Sequence, residues 1–136
     1  MASYCIVMAS YRPNVAVLML NRKGKLLVCE RRNQKGAWQF PQGGVDADEK
    51  LVKALAREVE EEIGLPWKSY KVLEKRDGYS YLYPDQVKKK EMYFDGQDQT
   101  YYLCKLKKSA PDIDLDGHKK PEFERYKWIW PEDFKL

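Results

Sequence analysis

At 136 residues the chain has room for one domain of ordinary size and is too short for two. With 43% hydrophobic and 34% charged residues it is neither collagen-like, nor low-complexity, nor broadly disordered. The net charge of +4 is unevenly spread: residues 43–65 carry seven acids against three bases, which leaves +8 on the remainder, so an acidic island sits inside a basic protein.

The first ten residues hold a short apolar run with no basic stretch ahead of it, and Arg12-Pro13 follow at once, so no signal peptide is expected. No stretch reaches the ~18 apolar residues of a membrane span. The expected setting is the cytoplasm, without a membrane partner. Val15 to Leu20 reads as a strand, Asn21-Arg22-Lys23-Gly24 as a tight turn and Leu26 to Cys29 as a second strand. After the polar stretch Arg31 to Gly36, Trp38-Gln39-Phe40 alternates like a strand until Pro41-Gln42-Gly43-Gly44 opens a loop. Asp46 and Asp48 are helix N-cap candidates, Glu49 stands at capping-box spacing from Asp46, and the helical pattern runs to Ile63 with Gly64 closing it. Downstream, Tyr70–Leu73, Tyr79–Tyr83, Thr100–Leu106 and Tyr126–Trp130 have strand composition, separated by loops containing Gly78, Pro84, Gly96 and Pro111. Strands, one long helix and more strands predict an α+β domain with a mixed sheet. There is no internal repeat and no interdomain linker. The densest basic run, Val87-Lys88-Lys89-Lys90, reads as a solvated loop.

Three widely spaced cysteines, Cys5, Cys29 and Cys104, form no metal or disulfide pattern and fit a reducing compartment. The single histidine, His118, excludes a multi-histidine metal site and reads as a loop residue. The helix is more informative. At 100° per residue, Leu55, Val59, Val52, Ile63 and Ala56 share an arc of ~140°, the expected core face. Glu58, Glu61 and Glu62 cluster in a ~100° sector bordering it, while Glu60 points away. Three like charges beside a core need neutralising, either by Lys or Arg from the basic remainder or by a divalent cation; oxygen ligands without His or Cys suit Mg²⁺ or Mn²⁺. Arg57 is placed to orient one of these carboxylates or to form an exposed ion pair.

The parts stand in a specific order: Gly43, five residues, Glu49, seven residues, then Arg57-Glu58-Val59-Glu60-Glu61-Glu62-Ile63-Gly64-Leu65. Every defined position of the Nudix box is matched across residues 43–65, and the chain resembles Nudix hydrolases. That resemblance implies a single domain over residues 1–136 with the α/β/α sandwich and mixed sheet of the family. It also implies hydrolysis of a nucleoside diphosphate linked to another moiety, with Mg²⁺ or Mn²⁺. It makes Glu58, Glu61 and Glu62 metal ligands, Arg57 their support in the catalytic set, and Gly43 a contributor through its carbonyl.

Outside the box, Tyr11-Arg12-Pro13-Asn14-Val15, Trp38-Gln39-Phe40-Pro41-Gln42-Gly43-Gly44, Gly96-Gln97-x-Gln99 and Pro121-Glu122-Phe123 are similar to RNA pyrophosphohydrolases and dinucleoside polyphosphate hydrolases. The similarity implies Arg12 near the phosphates and Glu122 as a further metal ligand or catalytic carboxylate. Gln42, Gly44 and Gln99 join the substrate-binding candidates. Arg31 and Arg32 are, with Arg12, candidates to bind phosphate or RNA backbone, and Glu58, Glu62 and Glu122 are the candidate proton acceptors. Tyr79, Tyr81 and Tyr83 have a spacing that suits base stacking and a half-buried strand alike. Two departures stand out. The subgroup's tryptophan after the Nudix helix is replaced near Gly78 or Tyr79. The chain also ends at Glu132-Asp133-Phe134-Lys135-Leu136, where members of the subgroup usually continue into a helix with a basic motif, which leaves open any base recognition or RNA affinity that helix supplies. The function expected is removal of pyrophosphate from triphosphorylated RNA, with dinucleoside polyphosphate hydrolysis as the alternative and free nucleoside triphosphate hydrolysis behind it. A non-catalytic Nudix-fold RNA-binding module is the rival outside enzymes, and the intact glutamate set argues against it.

Overall fold

Strand β1 (Tyr11–Leu20) has Asn14, Val15, Ala16 and Val17 buried in succession, the pattern of a strand covered on both faces, and it is the centre of the sheet. In a computed structural model, which describes residues 9–85 and 93–134, β1 pairs antiparallel with β2 (Leu26–Arg31) and parallel with β6 (Gly96–Leu106). The order across the sheet is β3-β2-β1-β6-β5, with β3 at Trp38–Gln39 and β5 at Tyr70–Leu82; β7 (Phe123–Ile129) pairs with β2. The mixed sheet bears out the expected α+β class. One helix, α1 (Leu51–Ile63), lies on one face, where Leu55, Val59 and Ile63 meet Val17, Met19, Leu27, Cys104 and Phe123 in the core. Among the described residues the other face carries only a short 3₁₀ turn, Pro131–Asp133, which seats Phe134 on Phe40 at 4.5 Å between ring centres.

Several elements differ from the sequence reading. The Pro41–Gly44 loop contains a strand, β4 (Gln42–Gly44), paired with Asn14–Ala16, because Val17 N–H and Val45 N–H donate to the Pro41 and Pro13 carbonyls and lock the segment to β1. The helix starts at Leu51, later than Asp46 or Asp48, with no side-chain cap at Lys50. Asp46 and Glu49 do bond reciprocally, but in a turn ahead of the helix, where Asp48 takes a left-handed φ of 64° that no helix continues. Gly64 closes the helix as expected, at φ 72°. Val52, read as core, is 47% exposed, and Ala54 is buried in its stead. The two strands expected on either side of Gly78 are one, β5, bulged at Val72/Glu74 and at Arg76/Tyr79; Gly78 supplies the positive φ the second bulge needs. Gly96, read as loop, opens β6 pressed against the Tyr81 carbonyl. The run Val87–Lys90, Cys5 and the N-terminal apolar run lie outside the described residues.

Cys29 and Cys104 are free, and burial pushes both thiols up to about 12, which leaves them unreactive. No described helix is long and apolar enough to cross a membrane.

Candidate active site

The helix turns Glu62 into the buried arc itself, at 9% exposure, with Glu58 and Glu61 half-buried beside it. One oxygen from each of the three carboxylates lies within 4.8 Å of the others. Strand β4 passes directly over them: a Cβ at Gly43 would overlap the Glu58 carboxyl, and one at Gly44 the Arg12 guanidinium. The diglycine therefore serves close approach, since its backbone is wedged between an anion and a cation. Gly43→Ala is expected to displace Glu58 and lower both divalent-ion affinity and kcat about tenfold or more; a variant that titrates with metal like the wild type would show the close approach to be dispensable.

Arg57 organises the cluster. Its Nε and Nη2 bind both oxygens of Glu49 at 2.9 Å, Nη1 donates to Glu58 at 2.7 Å and lies 3.5 Å from Glu61, and Nη2 also donates to the Gly44 carbonyl at 2.9 Å. One guanidinium thus ties the loop, the helix and β4 together, through a fork geometry that lysine lacks. Arg57 and the Asp46 N–H hold the Glu49 carboxyl down at about 2. Burial raises Glu58 above its ordinary value, against the pull of Arg57. Glu62 is pushed up to about 8, by burial first, then by the charge of Glu122, a hydrogen bond shared with it, and the charges of Glu58 and Glu61.

Glu122 reaches Glu62 because the long segment between β6 and β7 is pinned along its length. Asp114 N–H donates to Ile63 O at the helix end, Leu115 enters the core, and Arg32 N–H donates to Glu122 O at 3.0 Å. The Arg32 guanidinium bonds Asp116 at 3.1 Å and the Phe123 carbonyl at 3.2 Å. Arg32 therefore grips the Glu122 segment, whereas Arg31 is exposed and free to meet a ligand. Arg12 lies beside Gly44, on the opposite side of β4 from Glu58.

On the sheet face opposite the helix, a groove of about 510 Å³ is lined by Trp38, Phe40, Tyr79, Tyr101 and Phe134, with Gln42 and Gln99 among its polar groups. Gln99 donates to Gln42 at 2.9 Å, and its own oxygen, like Asn14 Oδ1 across the β1–β6 pair, is buried without a donor. Of the three tyrosines singled out for stacking, only Tyr79 lines this groove, edge-on to Tyr101; Tyr81 and Tyr83 pair with each other. Sequence reasoning gave no sign that the buried Asn14 oxygen would be left without a donor. It also missed the Glu30–Arg125 pair. Glu30, with a side chain 2% exposed, takes two 2.8 Å bonds from Arg125 and one from Gly36 N–H, which hold its carboxyl down at about 2. Arg125 so fixed lies over Trp38 together with Lys127 and stiffens the groove wall. A lone charge in a strand is the only sequence signal for that pair.

Three buried or half-buried carboxylates, a nearby fourth and no nitrogen or sulfur donor among them form a hard, oxygen-only set that suits a divalent cation of the Mg²⁺ or Mn²⁺ type. The NUDIX domain pattern matches residues 10–136. The RNA pyrophosphohydrolase of Francisella tularensis subsp. mediasiatica is 43% identical over 123 residues, 89% of this chain and 79% of that protein. The RNA pyrophosphohydrolase of a Nitratiruptor species is also 43% identical over 123 residues, 88% of this chain and 77% of that protein. Among solved structures, a C. elegans Ap4A hydrolase binary complex superposes with a TM-score of 0.69 at 21% identity over 90% of this chain and 82% of that one. The MutT protein from Methanosarcina mazei Go1 gives 0.60 at 23% identity, over 93% and 81%. These two likenesses concern the fold.

Proposed function

The chain belongs to the NUDIX domain family, and on that footing we propose that it is an RNA pyrophosphohydrolase, one Nudix domain over residues 1–136 acting in the cytoplasm. It removes pyrophosphate from a 5′-triphosphate end and leaves a 5′-monophosphate. The observation that carries this reading is the convergence of Glu58, Glu61 and Glu62 under Gly43, in a chain 43% identical to two RNA pyrophosphohydrolases.

Glu58, Glu61 and Glu62, with the Gly43 carbonyl and Glu122, would hold Mg²⁺ or Mn²⁺. Such an ion would offset phosphate charge and lower the pKa of a water, which attacks phosphorus as it gives up its proton. The protein's own groups do the rest. Arg57 keeps Glu58 and the β4 backbone in register. Arg12, beside Gly44, and Arg31, at the exposed end of β2, meet the phosphates. Glu122, whose charge crowds Glu62, is placed with Glu62 to take the attacking water's proton. The first nucleoside lies in the groove, where Gln42 and Gln99 are placed to meet its polar edge.

Arg32 is assigned a positioning role, because its bonds go to Asp116, Phe123 and Glu122. Arg32→Ala is expected to lower kcat about tenfold with little change in KM. A raised KM with unchanged kcat would instead identify a phosphate contact.

The volume of the groove also suits one nucleoside of a dinucleoside polyphosphate, the second reading. Equal concentrations of triphosphorylated RNA, diadenosine tetraphosphate and free nucleoside triphosphates, compared by kcat/KM, decide between them. RNA is expected to lead; preference for the free nucleotides would sink both readings.

A further inference from the structure

A second cavity, of about 490 Å³, lies at the end of the sheet remote from the carboxylates. Gly43 pairs with Val15, whereas the β1–β2 turn that borders this cavity begins only after Leu20, ~16 Å farther along the strand. Arg22, Lys23 and Lys25 line it from that turn, and Lys107 and Lys108 from the segment after β6, against one acid, Asp112. Among the described residues no carboxylate lies within 4.0 Å of any of the five cations.

These cations stand on fixed backbone. Asn21 Oδ1 accepts the Lys23 and Lys25 N–H groups at 3.0 and 2.9 Å, and Gly24 N–H returns to Asn21 O. Lys107 N–H donates to Ser69 O at 2.9 Å, and Ala110 N–H closes a turn onto Lys107 O. Behind the charges the lining is apolar: Leu106 and Ile113 pack against the core, and β7 supplies the rings of Tyr126, 41% exposed, and Trp128. A separate depression lined by Asp114, Asp116 and Glu124 adjoins it at Tyr126 and Ile113. That acidic stretch keeps the basic pocket from being an extension of any polyanion path over the carboxylates.

We propose that this pocket binds a nucleotide unit, with the phosphate between Arg22, Lys107 and Lys108 and the base against Tyr126 and Trp128. Uncompensated cations on a rigid rim favour phosphate, aromatic walls accept any base by stacking, and the volume lies within the range of small-ligand sites. The unit comes either from a free nucleotide or from an RNA chain away from its 5′ end. The site is independent of the activity proposed above and stands or falls by its own test.

Amide shifts of the ¹⁵N-labelled full chain, titrated in EDTA with AMP and separately with a short 5′-hydroxyl oligoadenylate, provide it. Shifts are expected at Gly24, Lys107 and Lys108 and at the Trp128 indole. The charge reversal Lys107→Glu/Lys108→Glu is expected to weaken binding about tenfold or more and to flatten the log affinity against log salt slope by about 1.4, two phosphate contacts' worth. The same variant should hydrolyse a triphosphorylated dinucleotide like the wild type, which also reports that it is folded. Tyr126→Leu should weaken oligoadenylate and leave inorganic phosphate binding unchanged. Oligoadenylate binding beyond what its number of nucleotides accounts for identifies the RNA chain as the source; parity per nucleotide identifies the free nucleotide. Shifts confined to the groove and carboxylate residues, or pocket shifts that survive charge reversal, would overturn the assignment.

Discussion

Glu62→Gln is expected to lower pyrophosphate release about 10²- to 10³-fold at saturating Mg²⁺ and, at the same time, to raise the melting temperature of the metal-free protein. Both effects have one origin. The carboxyl is buried in the helix face and crowded by Glu58, Glu61 and Glu122, so it holds its proton up to about pH 8 rather than the ordinary 4.5. Between those values the folded chain carries a proton that the unfolded chain has released, so stability of the metal-free protein falls as pH rises through that window. Glutamine keeps the shape, never ionises and removes that fall. The gain should reach about 3–5 °C at pH 8, the shift that ~1 kcal/mol produces in a domain of this size, and vanish near pH 4. Divalent-ion affinity of the wild type should climb across the same range, because each ion bound displaces a proton. Differential scanning fluorimetry in EDTA across pH, beside a pyrophosphate-release assay, reads both. A Glu62→Gln chain that hydrolyses like the wild type, or a wild-type melting temperature that rises from pH 5 to 8, would refute the account.

Arg57→Lys is expected to fail almost as badly as Arg57→Ala, with kcat down about 10- to 100-fold and stability down by ~2 kcal/mol in urea titrations. The guanidinium meets Glu49 with two nitrogens, Glu58 with a third, and returns to the Gly44 carbonyl. An ammonium reaches one of these partners and strands the others. Since Glu49 stays ionised down to about pH 2, its bond to Arg57 persists far below the pH at which Glu62 takes up its proton. Acid should therefore switch off metal binding well before it loosens the loop. Wild-type kcat in Arg57→Lys would mean that one positive charge suffices there.

The carboxylate helix was legible because its spacing is local: Glu58, Glu61 and Glu62 come together through helical geometry alone, and Gly64 ends the helix by its backbone freedom. What the sequence concealed depends on partners far along the chain. Gly43 and Gly44 look like a loop because nothing near them shows that β1 will pair with them. The Asp46–Glu49 motif promises a helix start, yet Arg57, a full two turns on, takes the Glu49 carboxylate and holds the motif outside the helix. Arg32 reads as a phosphate ligand until the segment from Asp116 to Phe123 comes to rest on it. Asn14 and Gln99 become a pair of unmet acceptors only when β1 and β6 align.

The parallel union of β1 with β6 has a consequence in time. It joins residues 85 positions apart, and the diglycine strand, the Nudix helix and β5 all lie inside the loop it closes. Closing so long a loop surrenders much chain entropy before any contact rewards it, which puts the domain among the slower folders for its size. Gln99 lies on β6, so the nucleoside groove does not exist until that closure is made. On the ribosome, a nascent chain still holding β6 in the exit tunnel carries every glutamate of the Nudix box and no groove for the nucleoside.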